Sequence, residues 1–252
     1  MNNNLISIII ATKNGGRFLR RSIGSIERQT EKNIEIIVVS DGSTDDTVKI
    51  AQEMAKSIPY LKVIVLEKNI GPGLARNFGI KNARGNKIAL LDDDDEWLDE
   101  NKLSNQIRFL NENPEYVIVG SAVTEFVNET NRPLFTFKPK LNDCDIRANI
   151  LLSNQFITSS VMFRKEAFEK VGGFAAMYLA EDYDLWLKLA LQGKIVNIQG
   201  CKTRYMKRSS GAQQSHKSEM NKIVLKLIKR NKFNFPNYWL ALIKAYIRII
   251  LG

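Results

Sequence analysis

The sequence predicts an α/β fold: an open, mainly parallel sheet of Rossmann-like type flanked by helices. Three observations lead there. The runs Leu5–Thr12 (LISIIIAT) and Ile34–Ser40 (IEIIVVS) are almost continuously apolar and β-branched, as strands covered on both faces are. Helix-length segments separate such runs, giving the strand–helix–strand alternation of a parallel sheet. Polar turns close three of the strands, at Thr12–Gly16, Asp41–Asp46 and Asp92–Asp95, and in open α/β sheets ligands bind beyond the carboxyl ends of strands.

In chain order, Asn14-Gly-Gly ends the first strand and Arg17–Gln29 reads as a helix. The second strand runs into Asp41-Gly-Ser-Thr-Asp-Asp, a turn with a helix cap, followed by a helix to about Ser57 and a strand at Leu61–Glu67. Gly71-Pro-Gly opens a helix through Ala83, and Lys87–Leu91 is a fourth strand that runs into the four aspartates. Beyond residue 100 come a helix at Asn101–Asn113 and a strand at Tyr116–Val127. Asn128–Asn142, with two prolines, reads as a loop. Ser159–Phe163 reads as a strand, Val171-Gly-Gly-Phe174 as a turn and Glu181–Gln192 as a helix, with short strands at Ile195–Gln199 and Thr203–Lys207. The chain thus divides into 1–100, 101–215 and a tail, 216–252.

The chain has 252 residues, 44% hydrophobic and 25% charged, which excludes a disordered or fibrous protein and suffices for a core without staples. Two cysteines, Cys144 and Cys201, form no disulfide framework and no Cys-x-x-Cys zinc site. The N-terminal residues lack a signal peptide, and no apolar run reaches the ~18 residues of a membrane span. The expectation is a cytoplasmic protein, free or seated on a membrane surface.

The net charge is +10 and unevenly placed: residues 216–252 carry eight Lys or Arg against the single acid Glu219. The body is therefore nearly neutral, which disfavours a nucleic-acid partner, since that calls for a basic face on the folded domain. In the tail, Met220, Ile223, Val224, Leu227 and Ile228 follow helical spacing opposite Lys222, Lys226, Lys229 and Arg230. After Pro236, Trp239, Leu242, Ile243, Tyr246, Ile249 and Ile250 share a side away from Lys244 and Arg248. Two basic amphipathic helices follow. Their stripes either pack on the domain or lie in an anionic membrane interface.

Four consecutive aspartates at a strand end repel one another and raise one another's pKa unless compensated. Either the turn is solvated and caps a helix, or carboxylate oxygens hold Mg2+ or Mn2+, which prefer such ligands. Glu181 and Asp182 open a helix, where amide dipoles favour the ionised form a general base needs; helix capping alone also accounts for them.

The ordered set SIIIATKNGGRFL, IEIIVVSDGSTDDT, GPGLARNFGIKNARGNKIALLDDDD and EDYDLWLKLALQG resembles the inverting glycosyltransferases of the GT-A fold, family 2, over at least residues 5–210. The resemblance implies a nucleotide-sugar-binding half at 1–100 and an acceptor-binding half at 101–215. It also implies a role for each matching residue. Thr12 and Asp41 hold the nucleoside, with Asp41 accepting from uracil, and Arg76 lies against the base or phosphates. Asp92 and Asp94 match the Asp-x-Asp motif, Asp94 as the metal ligand and Asp93 near the ribose. Asp93 stands where relatives often carry a small residue, and Asp99 where they often carry proline. Asp182 is then the catalytic base, with Glu181 orienting the acceptor. His216 either completes the metal shell or is an ordinary surface histidine, and Ser209–Ser215 is a candidate loop closing over the donor. Gly172-Gly173-Phe174 reads as a tight turn near the acceptor.

The implied activity is inverting transfer of a hexose from a UDP-sugar, with Mn2+ or Mg2+. The acceptor is a lipid-diphosphate-linked saccharide in O-antigen or capsule assembly, at the inner face of the cell membrane. Three alternatives fit less well. A sugar nucleotidyltransferase needs more basic groups near the N-terminus than Lys13 and Arg17. A dinucleotide oxidoreductase needs Gly-x-Gly-x-x-Gly after the first strand. A basic nucleic-acid-binding module leaves the aspartates and Glu181-Asp182 unexplained.

Overall fold

The computed structural model describes residues 4–127, 133–207 and 216–250. Its centre is a nine-stranded sheet in the order β3-β2-β1-β4-β8-β6-β9-β5, with β7 paired to β6. Strands β1 (Ile6–Thr12), β2 (Ile34–Asp41), β3 (Leu61–Leu66) and β4 (Lys87–Leu90) are mutually parallel. Beyond them, β8 (Met162–Arg164) runs antiparallel to β4 and to β6 (Tyr116–Val127), and β9 (Lys194–Lys207) runs parallel to β6. The short β5 (Glu96–Trp97) closes that edge on β9.

The nearly continuous apolar runs have the anticipated cause: each face of the sheet has its own core. On one face, Ile6, Ile8 and Ile10 of β1 and Ile36 and Val38 of β2 meet Leu19, Ile23 and Ile26 of α1 (Gly16–Glu27), Ala51 and Met54 of α2 (Thr47–Ser57), and Leu103, Ile107 and Leu110 of α4 (Lys102–Glu112). On the other, Ile9, Ile37 and Val39 meet Ala75 and Ile80 of α3 (Pro72–Lys81), Phe168 of α6 (Lys165–Lys170), and Leu185, Trp186 and Leu189 of α7 (Glu181–Leu189). Alternate residues along one strand feed alternate cores, as the pleat requires.

The second half departs from expectation at several places, among them the short helix α6. Pro133–Phe137 is a strand, β7, in the stretch read as a loop. It lies at an edge with Pro133 as its first residue, where proline is tolerated; residues 128–132 lie outside the described ones. Thr158–Ser160 is a 3-10 turn and the strand begins only at Met162, because the Ser160 hydroxyl donates to the Ile157 carbonyl and the Ser159 hydroxyl to Asp95, bonds that compete with a ladder. The two short strands expected near the end form one strand, β9, whose pairing jumps from Ser121↔Ile198 to Val123↔Thr203, with Gly200 at φ 90° in the bulge. Helix α5 (Asp143–Asn149) carried no apolar period; the Asn142 side chain caps it by accepting from the Asp145 amide.

Both tail helices form, as α8 (Lys217–Arg230) and α9 (Tyr238–Ile250), but they differ in what they cover. On α8, Leu227 and Ile228 are buried, and Met220, Ile223 and Val224 pack against the same core that Leu185, Trp186 and Leu189 of α7 join. Arg230 pairs with the buried Asp184 of α7. On α9 only Ala241 and Ala245 are buried. Trp239, Ile243 and Ile250 are 66%, 57% and 79% exposed, and Leu240, Tyr246 and Ile247 are also exposed. No helix among the described residues is long and apolar enough to cross a membrane.

Candidate active site

The ends of β1, β2 and β4 lie side by side, because the parallel register aligns Thr12 with Ser40 and Ile9 with Leu90. The four aspartates beyond β4 alternate in burial: Asp93 and Asp95 are buried, while Asp92 and Asp94 are partly open. Asp93 accepts from the Thr12 hydroxyl. Asp95 accepts from the Ser159 hydroxyl and, at 2.9 Å, from the Met206 amide. Burial first, then the charges of Asp92 and Asp94, push the Asp95 carboxyl well above the usual range. Asp95 therefore ties the aspartate turn to β9 and to the 3-10 turn, a structural role within a cluster that sequence reasoning treated as one ligand edge. Gly15 makes room for this arrangement: a Cβ there would stand 1.8 Å from Asp93 Oδ2.

Asp41 closes β2 and anchors the start of α3. Its two carboxylate oxygens accept from the Ile70 and Gly71 amides at 2.7 and 3.0 Å. Gly73, in the first turn of α3, lacks the Cβ that would come within 2.9 Å of Glu181 Cγ. The close approach of α3 to α7 lets Arg76 reach both acid motifs: Nη2 donates to Asp92 Oδ1 at 2.7 Å and Nη1 to Glu181 Oε1 at 3.0 Å. The guanidinium also lies over the Phe174 ring, 5.6 Å from its centre. Phe174 follows the turn at Gly172 and Gly173, both at positive φ as the Gly-Gly pair suggested. Burial opposes the Arg76 charge, yet Asp92 and Glu181 outweigh it and hold the group cationic.

Helix α7 begins after Ala180, which sits in the left-handed region at φ 56°, ψ 24°, a conformation that costs a non-glycine residue about 1 kcal/mol. Three acids fill the first turn, Glu181, Asp182 and Asp184, where the amide dipoles favour negative charge. Asp182 accepts from its neighbour's amide, that of Tyr183, at 2.7 Å and from Asn154 Nδ2 at 3.3 Å. Burial, and then the Glu181 charge beside it, raise its carboxyl to about 7, against the opposing pull of the Tyr183 amide and Arg76. Such a group takes or gives a proton near neutrality. Arg76, Asp92, Glu181 and Asp182 line one cavity of about 500 Å3, which also has apolar walls at Leu151, Leu152 and Ile157.

The structure thus joins Arg76, Asp92, Glu181 and Asp182 in one wall, with Thr12 and Asp93 bonded to each other at the adjoining strand end. His216 is not brought to the aspartates. It precedes α8, with Nδ1 3.4 Å from Glu219 and its ring against Tyr178. The loop Ser209–Ser215 lies outside the described residues. Asn154, Ser159 and Tyr205 were missed. Tyr205 lines the cavity, its phenol pushed up by burial and then by Asp95, Asp92 and Asp94. None of the three lies in a motif, and only the fold brings them here.

Among the described residues no three His, Cys, Asp or Glu side chains form a group able to hold a metal ion. Asp92 and Asp94 supply hard oxygen donors in one turn. That set fits Mg2+ or Mn2+ bound through one or two carboxylates, with further ligands from substrate phosphates and water.

The family model for glycosyl transferase family 2 matches residues 7–172, and that for family 21 matches residues 136–246. An uncharacterized glycosyltransferase of Rickettsia prowazekii is 35% identical over 189 residues, 73% of this chain and 58% of that protein. The amylovoran biosynthesis glycosyltransferase AmsE of Erwinia amylovora is 34% identical over 176 residues, 69% of this chain and 65% of AmsE. This chain thus spans less than two thirds of either relative. Among solved structures, S. aureus TarS 1–349 in complex with UDP-GlcNAc superposes with a TM-score of 0.70 at 22% identity, covering 96% of this chain and 72% of that one. The mannosyltransferase PcManGT of Pyrobaculum calidifontis, in complex with GDP-Man and Mn2+, gives 0.71 at 16%, covering 98% and 74%. These likenesses confirm the GT-A-like sheet and its flanking helices. With its family model matched from β1 through the aspartate turn to α6, the chain belongs to glycosyl transferase family 2.

Proposed function

We propose that this chain transfers a hexose from a UDP-sugar, with inversion, to a hydroxyl of a lipid-diphosphate-linked saccharide in surface polysaccharide assembly, O-antigen or capsule. One observation carries the reading. Arg76 joins the aspartate turn to the Glu181-Asp182 pair within a single cavity, so a group departing beside Asp92 and a hydroxyl arriving at Asp182 share one space. A sugar nucleotide as donor is supported by the ligands named for the two solved neighbours, UDP-GlcNAc and GDP-Man with Mn2+. Polysaccharide assembly is supported by the name of AmsE.

In this reading the acceptor oxygen attacks the anomeric carbon as the bond from that carbon to the diphosphate oxygen breaks. The bonding pair leaves with the nucleoside diphosphate. Asp182 takes the hydroxyl proton, and its carboxyl near 7 suits that task at neutral pH. Glu181, fixed by Arg76, orients the acceptor. Arg76 also supplies positive charge beside the departing diphosphate. A divalent cation held by Asp94 and Asp92 would add further stabilisation of that charge. Thr12, Asp41 and Asp93 line the nucleoside side, with Asp41 available to the base through the lone pairs its two amide bonds leave unused.

The same proposal seats α9 on the inner face of the cytoplasmic membrane. Its support is the exposed row Trp239, Ile243, Tyr246 and Ile250, with Lys232 and Lys229 over the Trp239 and Tyr246 rings. Apolar groups enter such an interface while each nearby basic group contributes about 1 kcal/mol against anionic lipid. The test is incubation with UDP-glucose, UDP-galactose, UDP-GlcNAc and GDP-mannose, Mn2+ and a short N-acetylglucosamine-diphospholipid analogue, read by product mass. One hexose added from one UDP donor is expected. Mannose transfer, or no product with any donor and acceptor, overturns the donor or the acceptor assignment.

A further inference from the structure

The cavity holding Asp182 is not walled by the first two hundred residues alone. Met220 and Val224 of α8 and Arg248 of α9 line it too. Met220 and Val224 continue the apolar surface of Leu151, Leu152 and Ile157. Arg248 brings a cation to a wall whose ionisable groups are otherwise mainly acidic. Its position is fixed through the backbone, since Asn221 Nδ2 of α8 donates to the Arg248 carbonyl at 3.1 Å. No described side chain makes a hydrogen bond or ion pair with the Arg248 guanidinium. The Arg248 charge is nonetheless felt at Tyr183, the residue next to Asp182, where it opposes the upward push of burial on the phenol. Arg248 also lies on the helix whose other side exposes Trp239, Ile243 and Ile250. It therefore lines the reaction cavity from a helix whose opposite face is the one assigned to the membrane.

We propose that Arg248 is an acceptor-positioning residue that binds the phosphate of an alkyl-diphosphate-linked saccharide while the sugar hydroxyl reaches Asp182. Resting on the lipid-linked acceptor proposed above, this deepens it: α9 is part of the acceptor site and not only an anchor. A guanidinium suits the task because its forked N–H donors match phosphate oxygens two at a time, which a lysine ammonium does not reproduce. The apolar wall beside it accepts the first methylenes of the chain.

The test compares the full chain with Arg248→Gln and Arg248→Lys on two acceptors carrying the same saccharide, one on an undecyl diphosphate and one on a neutral undecyl group. The expected result is a KM increase about ten-fold greater for the diphosphate acceptor than for the neutral one in Arg248→Gln, the size of a lost charge-assisted hydrogen bond. Arg248→Lys should recover part of it, with kcat little changed. Equal effects on both acceptors, or none, overturn the assignment. Undecyl diphosphate binding and Mn2+-dependent UDP binding are titrated on the same samples. If no transfer occurs with any donor, weaker undecyl diphosphate binding by Arg248→Gln still supports the phosphate site, and unchanged binding refutes it. The UDP titration separately reports on the donor reading. A fourth arm uses phosphatidylglycerol vesicles: lost sedimentation with intact undecyl diphosphate binding would assign Arg248 to the lipid surface and end the proposal.

Discussion

Replacing Asp182 by asparagine should make the protein more stable and much less active, in a way that depends on pH. Asp182 titrates near 7 where an ordinary aspartate does so at 3.8. The folded protein therefore keeps a proton between about pH 4 and 7 that the unfolded chain has lost, and stability falls as pH rises through that window. Above pH 7 a charge is held in a place that disfavours it. At ~1.4 kcal/mol for each pH unit, the ceiling on this penalty is about 4 kcal/mol. Asparagine removes the charge at nearly constant volume but weakens the bond from the Tyr183 amide, so a net gain of about 1–3 kcal/mol at pH 8 is expected, after about 1 kcal/mol for that bond. For a domain of this size that is roughly 3–9 °C in Tm. Below pH 4 the two proteins should converge. The assay is thermal unfolding of both proteins at pH 4, 6 and 8 without donor, alongside transfer rates. Transfer by the wild type should rise through pH 7 and fall about 100-fold or more in Asp182→Asn. A variant less stable than wild type at pH 8, by the same margin as at pH 4, would refute the charge argument.

Three further perturbations follow from the same geometry. Arg76→Met leaves Asp92 and Glu181 without their shared partner and should cost about 3 kcal/mol or more in urea unfolding at pH 7; a loss under 1 kcal/mol would mean that the fork is dispensable. Gly15→Ala must displace Asp93 from Thr12, since its Cβ would fall 1.8 Å from the carboxylate, and should lose about 1–3 kcal/mol. The control Gly24→Ala, whose Cβ meets nothing nearer than 3.8 Å inside α1, should gain up to about 1 kcal/mol. The pair Ile243→Glu and Ile247→Glu, on the exposed face of α9, should abolish sedimentation with phosphatidylglycerol vesicles while Tm stays within about 1–2 °C; unchanged sedimentation would remove the membrane from the proposal.

The parallel half of the fold was legible because a strand buried on both sides is apolar nearly throughout, as β1 and β2 are. Their interior polar pair, Ser7 and Glu35, is satisfied by a mutual hydrogen bond and by Arg84. The strand ends were legible for the same reason: a polar turn directly after such a run can only lie at the sheet edge. Local pattern is silent about partners brought together by the fold. Asp92 through Asp95 look equivalent in sequence, yet Ser159 and Met206 claim Asp95, and Thr12 claims Asp93. Arg76 was assigned to base or phosphates by resemblance, whereas its fork between Asp92 and Glu181 depends on the packing of α3 against α7. β7 went unseen because Pro133 and Pro139 mask a strand that pairs on one side only. In the tail, periodicity identified two apolar stripes but not which one the domain covers. The answer lies in the residues facing inward: Leu227 and Ile228 bury one helix deeply, while Ala241 and Ala245 leave the large side chains of the other outside.

The most direct test is an isothermal titration of UDP into wild type, Asp94→Ala and Asp182→Asn, each with and without Mn2+. The prediction is binding by wild type and Asp182→Asn that strengthens with Mn2+, and loss of that strengthening in Asp94→Ala. UDP binding indifferent to both the metal and Asp94→Ala would contradict a diphosphate held at the aspartate turn, and with it the transfer chemistry assigned to this cavity.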